Sequence, residues 1–220
     1  MVRVSRAAAM LLASFAVAVT VSVAAPAGVA ASNAKVDCHS EDNERRIQGC
    51  SILIETPGLP SDELSLAYAM RALAYSLVGH FDKGLQDYDA ALAITPDFPL
   101  ALNNRAWSYY KLDRAAEGVA DVERALKLAP DSPSALDTRA HIRQSLGQSE
   151  AAYEDYNLAM RLGGKSMVKM YQCGLKAHGL YFGAVDGERS ETLQKALRAC
   201  SGMRQCDPLP ADAECLPEVS

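Results

Sequence analysis

Residues 68–96 read YAMRALAYSLVGHFDKGLQDYDAALAITP, and the same pattern returns 34 residues later and once more after that. Arg71, Arg105 and Arg139 keep this step, as do Ala72, Ala106 and Ala140, then Ala91, Ala125 and Ala159, and the pairs Tyr75/Tyr109 and Pro96/Pro130. A fixed period of this length means a solenoid built from one supersecondary unit. Each unit reads as two helices, because apolar residues recur at three- and four-residue spacing on either side of a turn at Gly79. Pro96 and Pro130 end the second helix, since proline lacks the N–H and clashes with the preceding turn. Small residues at Ala72, Ala106 and Ala140 mark where two helices approach closely. Tyr75, Tyr88, Tyr109 and Tyr156 are the bulk between successive hairpins.

This pattern resembles the tetratricopeptide repeat, with copies at 65–98, 99–132 and 133–166. Tyr68, Ala72, Tyr75, Gly84, Tyr88, Ala91 and Pro96 occupy the family's positions in the first copy. Leu102, Ala106, Tyr109, Gly118, Val122, Ala125 and Pro130 do so in the second. The third has Leu136, Ala140, Ala152, Tyr156 and Ala159, but Arg143 at an aromatic position and Gly164 at the proline position. The resemblance implies an all-α tetratricopeptide-type helical-hairpin solenoid of about three repeats, with a small C-terminal helical module.

The chain divides around that core. Residues 1–31 read as a secretory leader: Arg3 and Arg6, then an uncharged apolar run, then small residues suited to cleavage after Ala31, with Ala25 or Ala34 as alternatives. An uncleaved membrane anchor is the competing reading, since the uncharged run is long enough to span a bilayer. The expected location is periplasmic or secreted. Residues 35–60 read as an N-terminal capping helix, the second helix of a repeat whose first is missing. Residues 61–166 hold the repeats, 167–200 a helical module, and 201–220 a disulfide-stapled tail.

The whole chain carries a net charge of −5, and the leader contributes two of its basic residues and no acid. An acidic chain argues against nucleic acid, which is bound largely through Lys and Arg on phosphates. Six cysteines, Cys38, Cys50, Cys173, Cys200, Cys206 and Cys215, all lie outside the repeats. An even number in an exported chain reads as disulfides. Locality favours Cys38–Cys50, Cys173–Cys200 and Cys206–Cys215. The closely spaced cysteine pairs of a zinc site are absent, so no metal is expected.

First helices line the inner groove of such a solenoid. The candidate partner-binding residues are therefore Asn103, Asn104, Trp107, Tyr110 and Lys111 in the second repeat, continued by Asp137, His141 and Gln144 in the third. In the first repeat the equivalent face, Leu66, Ala69, Leu73, Ser76 and Leu77, is bland. Trp107 is the lone tryptophan, a residue type enriched at binding hot spots; packing against a neighbouring helix or the C-terminal segment is the alternative. Acidic residues on the second helices, among them Asp82, Asp87, Asp89, Asp121 and Glu123, read as a solvated face.

Residues 168–200 are similar to the small peptidoglycan-binding module of bacterial wall-associated proteins. Gly179, Tyr181, Gly183, Val185, Asp186, Gly187, Thr192, Ala196 and Leu197 match it, whereas the usual Gly-Pro before the threonine is missing. That likeness makes Tyr181 and Asp186 candidate wall-binding residues; a module that only closes the solenoid is the alternative. No nucleophile elbow, H-E-x-x-H, phosphate loop or dinucleotide fingerprint occurs, so neither catalysis nor a cofactor is expected. The reading is an exported adaptor that binds a protein or peptide in its groove, with peptidoglycan binding as the alternative.

Overall fold

The computed structural model describes residues 27–209; most of the expected leader and the end of the tail lie outside the described residues. Among the described residues nine helices follow in order: α1 Ala27–Cys38, α2 Asn43–Ile54, α3 Ser61–Leu77, α4 Phe81–Ile94, α5 Pro99–Lys111, α6 Ala115–Leu128, α7 Pro133–Ser145, α8 Ser149–Ala177 and α9 Glu191–Ser201. The described residues contain helices and turns alone, packed as consecutive hairpins. This is the tetratricopeptide-type solenoid that the 34-residue period implies.

Local chemistry sets the boundaries. Proline opens α5 and α7, where its fixed φ suits a first turn and its missing N–H costs nothing. Asp42, Ser132 and Ser190 cap α2, α7 and α9 by accepting backbone N–H groups of the first turn. Each repeat then reverses through one left-handed residue, Gly79 (φ 81°), Asp113 (φ 58°) and Gly147 (φ 77°). Only the second repeat puts a residue with a Cβ there. α8 contains the second helix of the third repeat and the first of the terminal module, bent at Gly164 (φ 63°, ψ −155°). That conformation is closed to residues with a side chain, which explains glycine where proline stood before.

Inside each hairpin the helices touch at small residues. A Cβ on Gly84 would lie 3.1 Å from the Ala72 carbonyl oxygen, and one on Gly118 would lie 2.9 Å from that of Ala106. Tyr88, Val122 and Tyr156 fill the next layer and are fully buried. One core runs through all three repeats, from Ala69 to Ala159. A second, built on Tyr156, Met160, Tyr171, Leu175, Leu193 and Leu197, joins the third repeat to the terminal module.

The expected lone capping helix is corrected. α1 supplies the first helix of that hairpin, with Ala34 and Cys38 buried against α2. Cys38 and Cys50 stand one 34-residue period before Ala72 and Gly84. A disulfide joins them across a Cα separation of 4.5 Å, where the later repeats use two small residues. The hairpin is thus a further repeat unit in register, disguised because a covalent bond replaces its signature. The expected cleavage point after Ala31 falls within α1.

The cysteine pairing is corrected as well. Cys200 bonds to Cys206, not Cys173, because the chain turns back after α9 and brings their Cα atoms to 5.3 Å. This also excludes Cys206–Cys215; Cys173 is itself disulfide-bonded, and Cys215 lies outside the described residues.

The acidic second-helix face is corrected in part. Asp87, Asp121 and Asp155 are buried, and each accepts two hydrogen bonds from the repeat's own arginine, Arg71, Arg105 or Arg139, at 2.6–2.8 Å. Arg105 and Arg139 also reach back to Asp89 and Glu123 of the preceding repeat. The conserved step of these arginines is therefore an ion-pair ladder along the solenoid. Bidentate, half-buried pairs couple more strongly than exposed ones. A double-mutant cycle on Arg105→Met and Asp121→Asn should give a coupling energy of about 2 kcal/mol in urea unfolding. The exposed pair Arg124–Asp97 should give about 0.5 kcal/mol. Equal coupling at the two sites would reject the ladder's role.

Candidate functional site

The concave face carries a different surface in each repeat. In the first, Leu66, Leu73 and Ser76 are half-buried and Leu77 is exposed, a weakly apolar strip with Ala69 beneath it. In the second, Asn104, Trp107 and Tyr110 are half-buried and Lys111 is exposed. Asn103 lies under this surface, its amide nitrogen donating to Asn104 Oδ1 at 3.2 Å. Trp107 and Tyr110 sit 5.1 Å apart between ring centres, and the Lys111 ammonium lies 5.5 Å from the Trp107 ring and 6.0 Å from the Tyr110 ring. These are cation–π distances, so the lysine is held against the aromatic pair.

The third repeat does not continue this open face. Asp137, His141 and Gln144 are all buried; the chain from Cys200 onward reaches His141 and Gln144, and Asp137 lies behind them against Tyr171 of α8. The Gln144 amide nitrogen donates to the carbonyl oxygens of Cys200, Met203 and Cys206, at 3.1, 2.7 and 2.6 Å. Its own carbonyl accepts from Tyr156 Oη at 2.7 Å. His141 shares one ring nitrogen with the Asp137 backbone carbonyl at 2.8 Å and the other with Asp207 Oδ1 at 2.9 Å. Tyr171 Oη donates to Asp137 Oδ1. Pro208 then crosses α8 at Gly174, one period after Ala140, where a Cβ would lie only 2.1 Å from the Pro208 carbonyl oxygen. Three of the residues placed in the groove by their spacing are instead the bed of an intramolecular seal. The signal that could have found this was Gly174 continuing the small-residue register.

An aromatic chain ties the seal to the open face. His141 meets Trp107 edge-on at 5.1 Å, Tyr110 at 5.3 Å and Tyr156 edge-on at 5.1 Å, and Tyr156 meets Tyr171 at 5.6 Å. Trp107 is therefore half-buried, packed against His141 and Tyr110 on the side of the seal.

In the terminal module, Gln172 organises the turn. Its amide nitrogen donates to Asp186 Oδ1 at 2.8 Å and to the Glu188 carbonyl at 3.0 Å, and its oxygen accepts from the Gly187 N–H at 2.8 Å. Tyr181 is buried, its hydroxyl donating to the Ala184 carbonyl at 3.0 Å. Tyr181 thus spends its hydroxyl on the turn itself, whereas Asp186 accepts there through Oδ1 and its side chain stays exposed. Phe182 beside them is 86% exposed and edges a groove of about 560 Å³ with Leu180, Thr192, Lys195 and Ala196.

Residues 100–132 match the tetratricopeptide repeat family model. No curated protein is similar enough to the chain to count as a match. The matched stretch spans the second repeat, the copy that carries Trp107. The tetratricopeptide repeat is a protein-binding scaffold that is typically non-catalytic. Among the described residues no group of three or more His, Cys, Asp or Glu is placed to hold a metal ion, and no helix is long and apolar enough to cross a membrane.

The seal is charged. Burial alone would lower the His141 pKa, but Asp137 and Asp207 outweigh it and hold the imidazole above its ordinary value. Burial alone would raise Asp207, and the hydrogen bond from His141 holds it below the usual carboxylate range. Asp137 is pushed upward by burial, against the opposing pull of His141 and Tyr171. Tyr110 and Lys111 face the same cluster from α5, and Tyr156 and Tyr171 from α8. With its pKa raised on folding, His141 stabilises fully below about pH 6.5, and that contribution is lost as pH rises through its folded-state value. Asp207 contributes above about pH 3.9 and is lost as pH falls through its own depressed value. A protonated imidazole quenches a neighbouring indole, so fluorescence of the lone tryptophan reports His141 directly. The titration should show a midpoint above about 6.5, and Asp207→Asn should move it down, since the Asp207 carboxylate is one of the groups that hold the imidazole protonated. A midpoint unmoved by Asp207→Asn would break the link between tail and repeat.

Proposed function

We propose that this protein is an exported adaptor that holds a protein or peptide partner on the open concave face of its first and second repeats. The observation that carries this reading is the half-exposed Trp107, Tyr110 and Lys111 cluster, next to the weakly apolar strip of the first repeat. Aromatic rings with few rotamers bury much area at little entropic cost, and a cation beside them adds orientation. The tetratricopeptide match at 100–132 supports protein binding by the same repeat. Export rests on the leader-like residues 1–31 and on the disulfides Cys38–Cys50 and Cys200–Cys206, which persist in oxidising compartments.

The second reading, attachment to peptidoglycan through the terminal module, is favoured by Phe182, an exposed aromatic at a groove mouth. It does not draw on Tyr181, whose hydroxyl is engaged within the turn, while Asp186 is exposed with one carboxylate oxygen engaged.

Trp107→Ala tests the first reading. Affinity capture from the native extract should lose partner signal by about 2 kcal/mol or more in apparent affinity. Thermal unfolding should register a smaller loss, about 1–2 kcal/mol, because the ring is only partly buried. A larger stability loss with unchanged capture would reject the binding face. Co-sedimentation with insoluble peptidoglycan that Phe182→Ala abolishes would favour wall attachment instead.

A further inference from the structure

His141 is held through both ring nitrogens, and both partners can only accept. Nδ1 faces the Asp137 backbone carbonyl at 2.8 Å, and Nε2 faces Asp207 Oδ1 at 2.9 Å. That Asp207 oxygen also accepts the Leu209 N–H at 2.9 Å, so it acts as a carboxylate. A neutral imidazole has one N–H, whereas an imidazolium has two. The geometry is therefore that of a protonated ring, 1% exposed, between Asp137 and Asp207. Without the proton, one nitrogen lone pair would point at an oxygen lone pair, and the Asp207 carboxylate would lose its cation.

No other ionisable group around the ring plays this part. From α5, Tyr110 lies 5.3 Å away between ring centres, and the Lys111 ammonium helps to hold Asp207 ionised. From α7, Asp137 Oδ2 lies 3.5 Å from Nδ1. From α8, Tyr156 meets the ring edge-on at 5.1 Å, and Tyr171 donates to Asp137. Burial pushes all three phenols above their ordinary range, so they keep their protons where a histidine titrates. His178, at the end of α8, accepts the Asp207 N–H on Nε2 at 3.3 Å. That bond needs an unprotonated Nε2, so His178 opposes His141 in its demand for a proton.

We infer that the returning segment is a proton-controlled latch: the imidazolium of His141 holds it on the third repeat, and loss of that proton lets the segment lift and uncover His141 and Gln144 beside Trp107. A solvated histidine carries its proton below about pH 6.5, and the latched one keeps it to a higher pH. Between those two values the open form binds fewer protons than the closed form. Opening therefore rises with pH, by at most about tenfold per unit, and levels off once the closed form has also lost its proton. Uncovering would add α7 to the open face of the first two repeats. The latch stands on the hydrogen bonds of His141; only the use of the uncovered face rests on the groove reading above.

The test is hydrogen exchange of the full chain between pH 6 and 8.5 (about one unit either side of the His141 transition), each amide rate being divided by its free-chain rate at the same pH. In the wild type, Cys206 and Leu209 should lose protection above about pH 6.5, by up to roughly tenfold per unit. The amides of α4, in the first repeat, should keep theirs. His141→Gln should make the protection of Cys206 independent of pH, and Asp207→Asn should flatten its slope. His178→Gln should leave the slope in place. A flat wild-type profile overturns the latch, as does a slope that survives His141→Gln or vanishes with His178→Gln. Loss shared equally by α4 assigns the change to global unfolding and overturns it too. If His141→Gln lacks a helical circular-dichroism spectrum, Asp207→Asn decides, and an unaltered slope overturns the latch. Partner capture by Trp107→Ala judges the groove separately, whatever these profiles show.

Discussion

The close approach of two helices inside each hairpin is the constraint on which the rest of the structure depends. Gly84 against Ala72 and Gly118 against Ala106 leave no room for a further methyl group. Interiors are packed too densely to absorb such an addition without displacement. The 34-residue step follows, because every unit must return its small residue to the same place. At the N-terminal end the Cys38–Cys50 bond holds the same two positions together covalently. At the other end Gly174 keeps the register, but the chain at Pro208 takes the contact in place of a second helix.

Two kinds of interaction build on that spacing. Along the solenoid, Arg71, Arg105 and Arg139 bind carboxylates of their own repeats, and the last two also reach the repeat before. Neighbouring units are coupled as a nearly one-dimensional stack, as expected of repeat proteins. Across the end of the stack, the buried Gln144 and His141 hold the returning chain through polar contacts, with Asp137 behind His141. A buried polar network of this kind specifies one arrangement, because a slip would leave several groups unpaired. The concave face is thereby asymmetric: one end is filled from within, and the remainder stays open beside Trp107.

The solenoid was legible in the sequence because the period of Arg, Ala, Tyr and Pro is a property of single positions. The Arg–Asp ladder was half legible. Its arginines stood out by their step, whereas Asp87, Asp121 and Asp155 looked like ordinary surface acids until the helices were paired. The N-terminal repeat unit was hidden because Cys38 and Cys50 replace the small residues, and because Ala27–Cys38 overlaps a leader-like segment. The open half of the candidate site, Asn104, Trp107, Tyr110 and Lys111, follows from helix register alone. The closed half left one hint, Gly174 in the small-residue register: Asp137, His141 and Gln144 share the groove register, but the chain that reaches His141 and Gln144 comes from residues 200–207, some 60 positions away. Long-range contact of that sort leaves no local pattern at the residues that it covers.

The central claim is that the returning segment seals the third repeat, and hydrogen exchange of residues 203–209 by mass spectrometry tests it most directly. The amides of Cys206 and Leu209 donate within the described structure, to Met203 and Asp207. Their exchange should be slowed by roughly a hundredfold relative to a free chain, and Gln144→Ala should release most of that protection. Exchange at the free-chain rate in the wild-type protein would contradict the seal and return the third repeat to the open groove.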